Sequence, residues 1–173
     1  YEKDWAYRQD QLSTTHPIVA PINDLHDVEV NFDGITYAKG ASVLKQLVAY
    51  VGREPFRDGI RRYFAQHAWS NTTLADLLTE LEATSGRDLR TWSALWLETA
   101  GVNLLRPVIE VDAAGQITAA VLHQEADPAH PTLRPHRLAI GLYDVVDDAL
   151  IRQERIELDV DGAVTSVDAL IGR

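Results

Sequence analysis

The sequence predicts an α+β fold in which a helical bundle is followed by a small antiparallel β-sandwich. Up to about residue 101 the apolar residues recur at helical spacing, and beyond Gly101 they alternate with polar residues, as they do in half-buried strands. Helices and strands that are not interleaved are typical of two packed units and not of a doubly wound sheet. We therefore expect a helical domain at 1–101 and a β-sandwich domain at 102–173.

The first two predicted helices are separated by a long break. YEKDWAYRQDQL has helical spacing, whereas the prolines of STTHPIVAPIND interrupt a helix, and we expect HDVEV to be loop or extended chain. Asp33 is placed to cap the second helix and Gly52 to end it. The predicted apolar stripe of this helix is Tyr37, Ala41, Leu44, Val48 and Val51.

Two more helices follow, each with recognisable ends. Pro55 suits the first turn of EPFRDGIRRYFAQHA. In SNTTLADLLTELEATSG, either Asn71 or Thr72 would cap the helix and Gly86 would end it. The predicted apolar positions are Phe56, Ile60, Tyr63, Phe64 and His67 in the first of these helices, and Leu74, Leu77, Leu78 and Leu81 in the second.

The last helix gives way to strands. LRTWSALWLETA begins after a capping Asp88, and we expect it to end at Gly101. RPVIEVDAAGQITAAVLHQEA predicts two strands joined at Ala-Ala-Gly, while HRLAIGLYDVV and RQERIELDV predict two more around Asp147 and Asp148. Because a sandwich of this sort usually has about seven or more strands, we expect further strands beyond Arg173 in a longer protein.

Composition limits the partners and the compartment. The net charge of -10 repels phosphate backbones and anionic lipids, so we expect no nucleic-acid or membrane partner. The chain has no apolar run of the roughly 18 residues that a membrane-spanning helix needs. The absence of cysteine excludes thiol catalysis and disulfides and fits a reducing compartment. The absence of methionine leads us to expect an internal piece of a longer protein, or a processed or trimmed product.

The six histidines do not form a recognisable metal motif. None belongs to His-Glu-x-x-His, which places two imidazoles on one face of a helix. His26, Asp27 and Glu29 are three potential ligands close together, but a metal site needs convergent geometry and supporting partners, so we expect no metal site here. The sequence also lacks a Gly-x-Ser-x-Gly elbow and a phosphate-binding glycine loop.

Tyr37 is the remaining candidate for chemistry, within the segment NFDGITYAKGASVLKQL. Aromatic residues mostly serve packing, so the position of Tyr37 at one end of an apolar stripe favours a structural role. Two neighbours favour a functional role. Gly40 costs about 1 kcal/mol relative to alanine inside a helix, which indicates that something approaches the backbone there, and Lys39 would place a cation beside the tyrosine.

The sequence resembles the zinc aminopeptidases of the aminopeptidase N type, a gluzincin family of metallopeptidases with a thermolysin-like catalytic domain. The stretches that carry the resemblance are His16-Pro17, then Phe32-Asp33-x-Ile35-Thr36-Tyr37-x-Lys39-Gly40-Ala41-Ser42-Val43-Leu44, and later LWLETAGV. The resemblance covers about residues 1–103 well and the sandwich more loosely. It implies that 1–101 is the rear, helical part of the thermolysin-like domain.

The resemblance also implies a role for Tyr37. In that family the tyrosine of Tyr-x-Lys-Gly donates a hydrogen bond to the oxyanion of the tetrahedral intermediate, and the complete proteins use zinc to hydrolyse peptides. The family's zinc helix, its glutamate ligand and its amine-binding segment would all lie before Tyr1. We therefore expect this chain by itself to be inactive and free of zinc, to need the upstream half of the catalytic domain as its partner, and to be cytoplasmic.

Two alternatives stay open. The chain could be a non-catalytic interaction module that kept the helical and sandwich scaffold, or part of an epoxide-hydrolysing relative that shares the tyrosine. A His-Glu-x-x-His helix followed by a glutamate, encoded before Tyr1, would distinguish a peptidase from the interaction module.

Overall fold

The described part of the chain, residues 2–173, folds into two compact units in a computed structural model. The helical unit extends to Val102 and includes Asp127–Thr132, and the second unit consists of Asn103–Ala126 and Leu133–Arg173. Helices in one unit and antiparallel strands in the other confirm the α+β fold class. The division into domains at residue 101 stays a prediction.

The helical unit is built on an apolar core between α-helices. The helices are α1 (Glu2–Gln9), α2 (Leu25–Val30), α3 (Gly40–Val51), α4 (Arg53–Gln66), α5 (Leu74–Ser85) and α6 (Leu89–Leu97). A turn of π-helix at Ile35–Lys39, called the π-turn below, runs directly into α3. The buried core residues are Val43, Leu47, Val51, Leu78, Leu81, Leu89 and Trp92. Within residues 2–173, no helix combines the length and the apolar character needed to cross a bilayer.

Local signals account for several helix boundaries. α3 ends at Gly52, which has a φ of 90°, and α5 ends at Gly86 in the left-handed conformation that glycine adopts most readily. Asp88 caps α6, because its carboxylate accepts hydrogen bonds from the amides of Arg90 and Thr91 at 3.0 and 3.1 Å. These three predicted boundaries are confirmed.

The start of α5 differs from the prediction. Thr73 caps this helix, and neither Asn71 nor Thr72 does. The Asp76 carboxylate accepts from the Thr73 amide at 2.7 Å, and the Thr73 hydroxyl oxygen accepts from the Asp76 amide at 3.4 Å. This reciprocal pair needs a suitable side chain three residues after the cap, and of the three candidates only Thr73 has one.

Two other predicted segments are wrong. α6 ends at Leu97 and not at Gly101. HDVEV lies in the short helix α2 and not in loop or extended chain. The physical reason is a cap, because the Asp24 carboxylate accepts from the Asp27 amide at 3.0 Å. A helix this short shows too little periodicity for a sequence pattern to reveal it.

The predicted apolar faces of α4 and α5 are largely confirmed. Phe64 and Leu74 are the exceptions, because both are exposed. The other predicted positions are buried or half-buried: Phe56, Ile60, Tyr63, His67, Leu77, Leu78 and Leu81. The two helices approach closely at Gly59, where a Cβ atom would lie 2.7 Å from Leu81 Cδ2 and 3.2 Å from the Glu80 carbonyl oxygen.

The second unit confirms the predicted β-sandwich. Within the described residues one sheet has the order β1 (Asn103–Val111), β2 (Ile117–Ala126), β5 (Val164–Ser166), and the other pairs β3 (His136–Val146) with β4 (Ala149–Val160). Its buried core is Ala120, Leu122, Val160, Val167 and Leu170. Asp147 and Asp148 form the β3–β4 turn with φ values of 51° and 61°, as a tight hairpin requires.

The last residues of the chain pair with the start of β2. The Ile117 amide donates to the Arg173 carbonyl at 3.0 Å, and the Gly172 amide donates to the Ile117 carbonyl at 2.8 Å. Leu170, in a short 3-10 turn just before them, is buried in the sandwich. The expectation of further strands beyond Arg173 stays a prediction.

A polar cluster lies inside the sandwich. Gln124 Oε1 accepts from His136 Nε2 at 2.9 Å and from the Arg134 amide at 3.3 Å, while Gln124 Nε2 donates to the Gly162 carbonyl at 2.8 Å. Burial, and after it the charge of Arg134, lowers the pKa of His136 from 6.5 to about 4. His136 is therefore neutral in the folded protein at neutral pH.

We expect the chain to lose stability as the pH falls from about 6.5 toward 4, because the unfolded state then protonates His136 and the folded state does not. The contribution is at most roughly 3–4 kcal/mol, since one pKa unit corresponds to about 1.4 kcal/mol. Urea unfolding near neutral pH and in mild acid measures it. The loss should be smaller in His136→Gln, which keeps a donor toward Gln124. An equal loss in both proteins would contradict this role.

Gly59→Ala should destabilise the helical unit by roughly 1–3 kcal/mol, because the added methyl group meets both Leu81 and the backbone of α5. Gly40→Ala is the matched control, since its Cβ would lie 3.8 Å from the Ile35 carbonyl oxygen, in ordinary contact. Helix propensity alone should make that variant more stable by up to about 1 kcal/mol. Denaturant unfolding of both variants tests the difference, and equal stabilities would show that α4 and α5 do not approach this closely.

Candidate functional site

Tyr37 lies in the π-turn with its side chain at the surface. The side chain is 49% exposed, and its ring contacts the ring of Phe32 edge-on, with the ring centroids 4.7 Å apart. Among residues 2–173, the structure records no hydrogen bond to the Tyr37 hydroxyl. The phenol is therefore an available hydrogen-bond donor, and within this unit it is not a core packing residue.

Asp33 organises the beginning of the π-turn. One carboxylate oxygen, Oδ1, accepts from the amides of Ile35 and Thr36 at 2.9 and 3.0 Å, which confirms the predicted cap. The other, Oδ2, accepts from the side-chain nitrogen of Gln9 and lies 3.0 Å from His16 Nε2. The structure thus brings together His16 and Asp33, which belong to two separate stretches of the family resemblance.

Gly34 lets α1 approach the π-turn closely. A Cβ atom on Gly34 would lie 2.5 Å from Gln9 Oε1 and 2.7 Å from Trp5 Cε2, so any side chain there would displace Gln9 and Trp5. Gln9 Oε1 also accepts from the Gly34 amide at 2.9 Å. The amide group of Gln9 therefore binds both Asp33 and Gly34 at the point where the turn begins.

Lys39 anchors the other end of the π-turn. It is 7% exposed, and its Nζ lies 2.9 and 3.1 Å from the two carboxylate oxygens of Asp10, which is 3% exposed. Nζ also donates to the Thr99 carbonyl at 3.3 Å. The prediction that Lys39 places a cation beside Tyr37 is wrong, because side chains two residues apart on a helix do not face each other.

The predicted apolar stripe through Tyr37 is also wrong. The buried side chains of the π-turn and α3 are instead Ile35, Ala38, Lys39, Val43, Leu47 and Val51. Tyr37 and Leu44 are exposed, and only Val51 belongs to both sets. Among the described residues nothing crowds Gly40 either, so the expected close approach to its backbone is absent.

An apolar groove lies beside the turn. Its volume is about 240 Å³, and its lining is formed by Ile18, Val19, Ala20, Ile22, Val28, Asn31, Phe32 and Thr36. Phe32 belongs both to this lining and to the ring pair with Tyr37. The free phenol and the groove therefore lie on one continuous surface of the helical unit.

The described residues do not fit a metal ion, because they contain no group of three or more His, Cys, Asp or Glu side chains in suitable positions. Asp27 Oδ2 accepts from the amide and the side-chain nitrogen of Asn23 at 2.8 and 3.0 Å. These two bonds lower the pKa of Asp27 and engage the oxygen that a metal would need. That His26, Asp27 and Glu29 form no metal site stays a prediction.

Sequence reasoning missed Gln9 and Asp10. Their partners, Asp33, Gly34 and Lys39, lie more than twenty positions away, and nothing in YEKDWAYRQDQL marks either residue. The only signal was indirect, since Asp33 and Lys39 belong to the motif that carries the family resemblance.

A model of the peptidase family M1 domain matches residues 1–100. The chain belongs to peptidase family M1. Aminopeptidase N of Streptomyces lividans is 64% identical over 99% of this chain, which spans 21% of that protein. A probable aminopeptidase 1 of Sulfurisphaera tokodaii is 31% identical over 97% of the chain, which again spans 21% of the relative. The resemblance to aminopeptidases of the N type is thus confirmed.

A solved structure shares the fold of this M1 chain. The structure of Legionella pneumophila aminopeptidase A in complex with aspartic acid matches with a TM-score of 0.63 and 23% identity, over 81% of this chain and 16% of that one. Membership of the M1 family implies zinc in the complete protein. The described residues do not supply a site for it.

We expect this chain by itself to take up no stoichiometric zinc at micromolar concentration, because no convergent ligand set is present among residues 2–173. Elemental analysis after dialysis against a mild chelator is the measurement. A variant with His26→Ala and Glu29→Ala serves as the control. If zinc stayed with the unaltered chain and were lost from the variant, α2 would be a metal site.

Proposed function

We propose that this chain is part of a zinc-dependent aminopeptidase that removes N-terminal residues from peptides, and that Tyr37 stabilises the oxyanion of the tetrahedral intermediate. The observation that carries the proposal is an exposed phenol, free of hydrogen-bond partners among residues 2–173, on a turn that is anchored at both ends. Membership of the M1 family and the aminopeptidase names of the relatives support the reaction and the substrate class.

The chemistry needs a donor at the carbonyl oxygen. As a nucleophile adds to a peptide carbonyl, negative charge develops on that oxygen, and a donor aimed there binds the transition state more strongly than the substrate. A phenol supplies one O–H donor without adding a charge of its own. Tyr37 can donate in this way because no residue of the described chain competes for its hydrogen.

Such a donor is effective only when it is preorganised. The Tyr37 ring packs edge-on against Phe32, which limits its rotation. The backbone beneath it is held by Asp33 at the start of the turn and by Lys39 at the end. The hydroxyl therefore needs little reorganisation as charge develops, and this is the basis of electrostatic stabilisation in enzymes.

The remaining machinery belongs to the same proposal. Zinc ligands and an amine-binding site would come from an upstream half of the catalytic domain, and this chain alone would be inactive. The chain spans 21% of the Streptomyces lividans relative and lacks a metal-binding group among residues 2–173, which supports that division. A cytoplasmic location is proposed on composition alone, since the chain has no cysteine.

In the complete enzyme, Tyr37→Phe should lower kcat roughly 100- to 1000-fold, because it deletes one oxyanion donor and keeps the ring. Zinc content and thermal stability should be unchanged. Steady-state kinetics on a panel of aminoacyl anilides measures kcat. Elemental analysis and a thermal melt of each preparation measure zinc content and stability.

Tyr143→Phe is the matched control, since Tyr143 is also exposed but lies in the sandwich. It should leave kcat within about twofold of the unaltered enzyme. A loss of less than about threefold in Tyr37→Phe would instead make Tyr37 a structural residue and favour the non-catalytic interaction module.

A further inference from the structure

The buried side of the π-turn determines where Tyr37 leaves the backbone. Ile35 and Lys39 lie two residues before and two residues after Tyr37, and both are buried. Side chains two positions apart on a helix point to nearly opposite sides. Burial of these two residues therefore directs Tyr37 outward, and any rotation of the turn about its axis would move the phenol.

Ile35 and Lys39 hold the turn in different ways. Ile35 is fully buried, but apolar contact is not directional, so it resists rotation of the turn only through packing. Lys39 makes directed bonds to both oxygens of Asp10 and to the Thr99 carbonyl. These directed bonds tie the end of the turn to a defined point in the helical unit.

Asp10 is itself held in place. Its Oδ1 accepts from the Gly101 amide at 2.9 Å and from the Thr15 hydroxyl at 2.8 Å, in addition to Lys39. The carboxylate thus joins the chain after α1, the segment after α6 and the π-turn. Buried ion pairs often contribute little net stability compared with apolar side chains of similar size, so stability alone is a weak reason for this arrangement.

The π-turn is itself an indication that this segment has a functional role. The Lys39 amide donates to the Gly34 carbonyl at 2.8 Å, and the Gly40 amide donates to the Ile35 carbonyl, five residues back in each case. Single π-turns within α-helices are rare and occur frequently at functional sites. Here the wider turn carries both the residue that is anchored, Lys39, and the residue that is exposed, Tyr37.

We propose that Lys39, through its buried ion pair with Asp10, is a positioning residue that sets the rotation of the π-turn and thereby places the Tyr37 hydroxyl for catalysis. This inference rests on the proposed role of Tyr37. It adds that Lys39 acts on the reaction only through Tyr37 and does not touch the substrate.

A double-mutant cycle in the complete enzyme tests the coupling. Lys39→Met keeps the length of the side chain and removes its charge, and it should lower kcat by about tenfold or more, since small displacements of a catalytic group have large effects. KM should change by less than about threefold. When Tyr37→Phe is already present, adding Lys39→Met should lower kcat no further than about twofold, because the hydroxyl that Lys39 positions is gone.

A purely structural role predicts a different result. If Lys39 only stabilised the fold, Lys39→Met would reduce the active fraction equally with and without Tyr37→Phe, and the two losses would multiply. Arg62→Met is the matched control. It breaks another ion pair that has one buried carboxylate, Glu80, on α4 and α5. Its effect on kcat should be the same in both backgrounds.

Lys39→Met leaves Asp10 buried without its cation, and that variant could fail to fold. The combined change Asp10→Asn and Lys39→Met removes both charges, while the new amide oxygen can still accept from the Gly101 amide. The same cycle with Tyr37→Phe should then show the same coupling. Circular dichroism and thermal melts establish that each variant is folded before its kinetics are compared.

The outcomes separate the two proposals. Suppose that Tyr37→Phe lowers kcat strongly. If the losses of kcat then multiply in the cycle, or if neither Lys39 variant lowers kcat, the positioning role is overturned and the proposed function of Tyr37 stands. A negligible loss in Tyr37→Phe overturns the proposed function and the positioning role with it. If Tyr37→Phe lowers kcat strongly and adding Lys39→Met lowers it no further, both the proposed function and the positioning role are supported.

Discussion

Two consecutive residues, the last residue of α1 and the one directly after it, hold both ends of the π-turn. Gln9 binds Asp33 and the Gly34 amide where the turn begins, and Asp10 binds Lys39 where it ends. Adjacent residues cannot move far from each other, so the two ends of the turn are fixed relative to one another. The exposed phenol of Tyr37 lies between these two anchors.

The same constraint explains the distribution of apolar side chains around the site. The π-turn and α3 bury a stripe that begins at Ile35 and ends at Val51, and this leaves Tyr37 and Leu44 exposed. Phe32, which contacts the Tyr37 ring, is exposed as well. A cluster of exposed apolar side chains is often a binding site. In the proposed function, an apolar surface beside an unpaired donor is suited to a peptide whose carbonyl must lie against Tyr37.

Features that depend on a few neighbouring residues could be predicted from the sequence. Gly52, Gly86 and Asp88 end or cap their helices through backbone freedom or short-range hydrogen bonds, and each was predicted correctly. The change from helices to strands followed from apolar spacing alone. The candidate Tyr37 came from a motif, because its position at one end of an apolar stripe by itself favoured packing.

Features that depend on distant partners could not be predicted from the sequence. Lys39 was predicted to place a cation beside Tyr37, and only the folded chain brings Asp10 to it across the intervening residues. Lysine is seldom buried, so nothing local indicates such a partner. The buried face of α3 was mispredicted for a related reason. Several sets of apolar residues fit helical spacing, and the choice among them depends on which face α5 and α6 cover.

The sequence by itself determined the fold class, several helix ends and the motif that contains Tyr37, because these follow from local propensity, apolar periodicity and short-range hydrogen bonds. Only the tertiary structure decided that Lys39 is buried and Tyr37 is exposed. The physical reason is that a buried charge is tolerated only where a partner of opposite charge and suitable geometry meets it. Whether such a partner is present depends on where α1 packs, which no local pattern specifies.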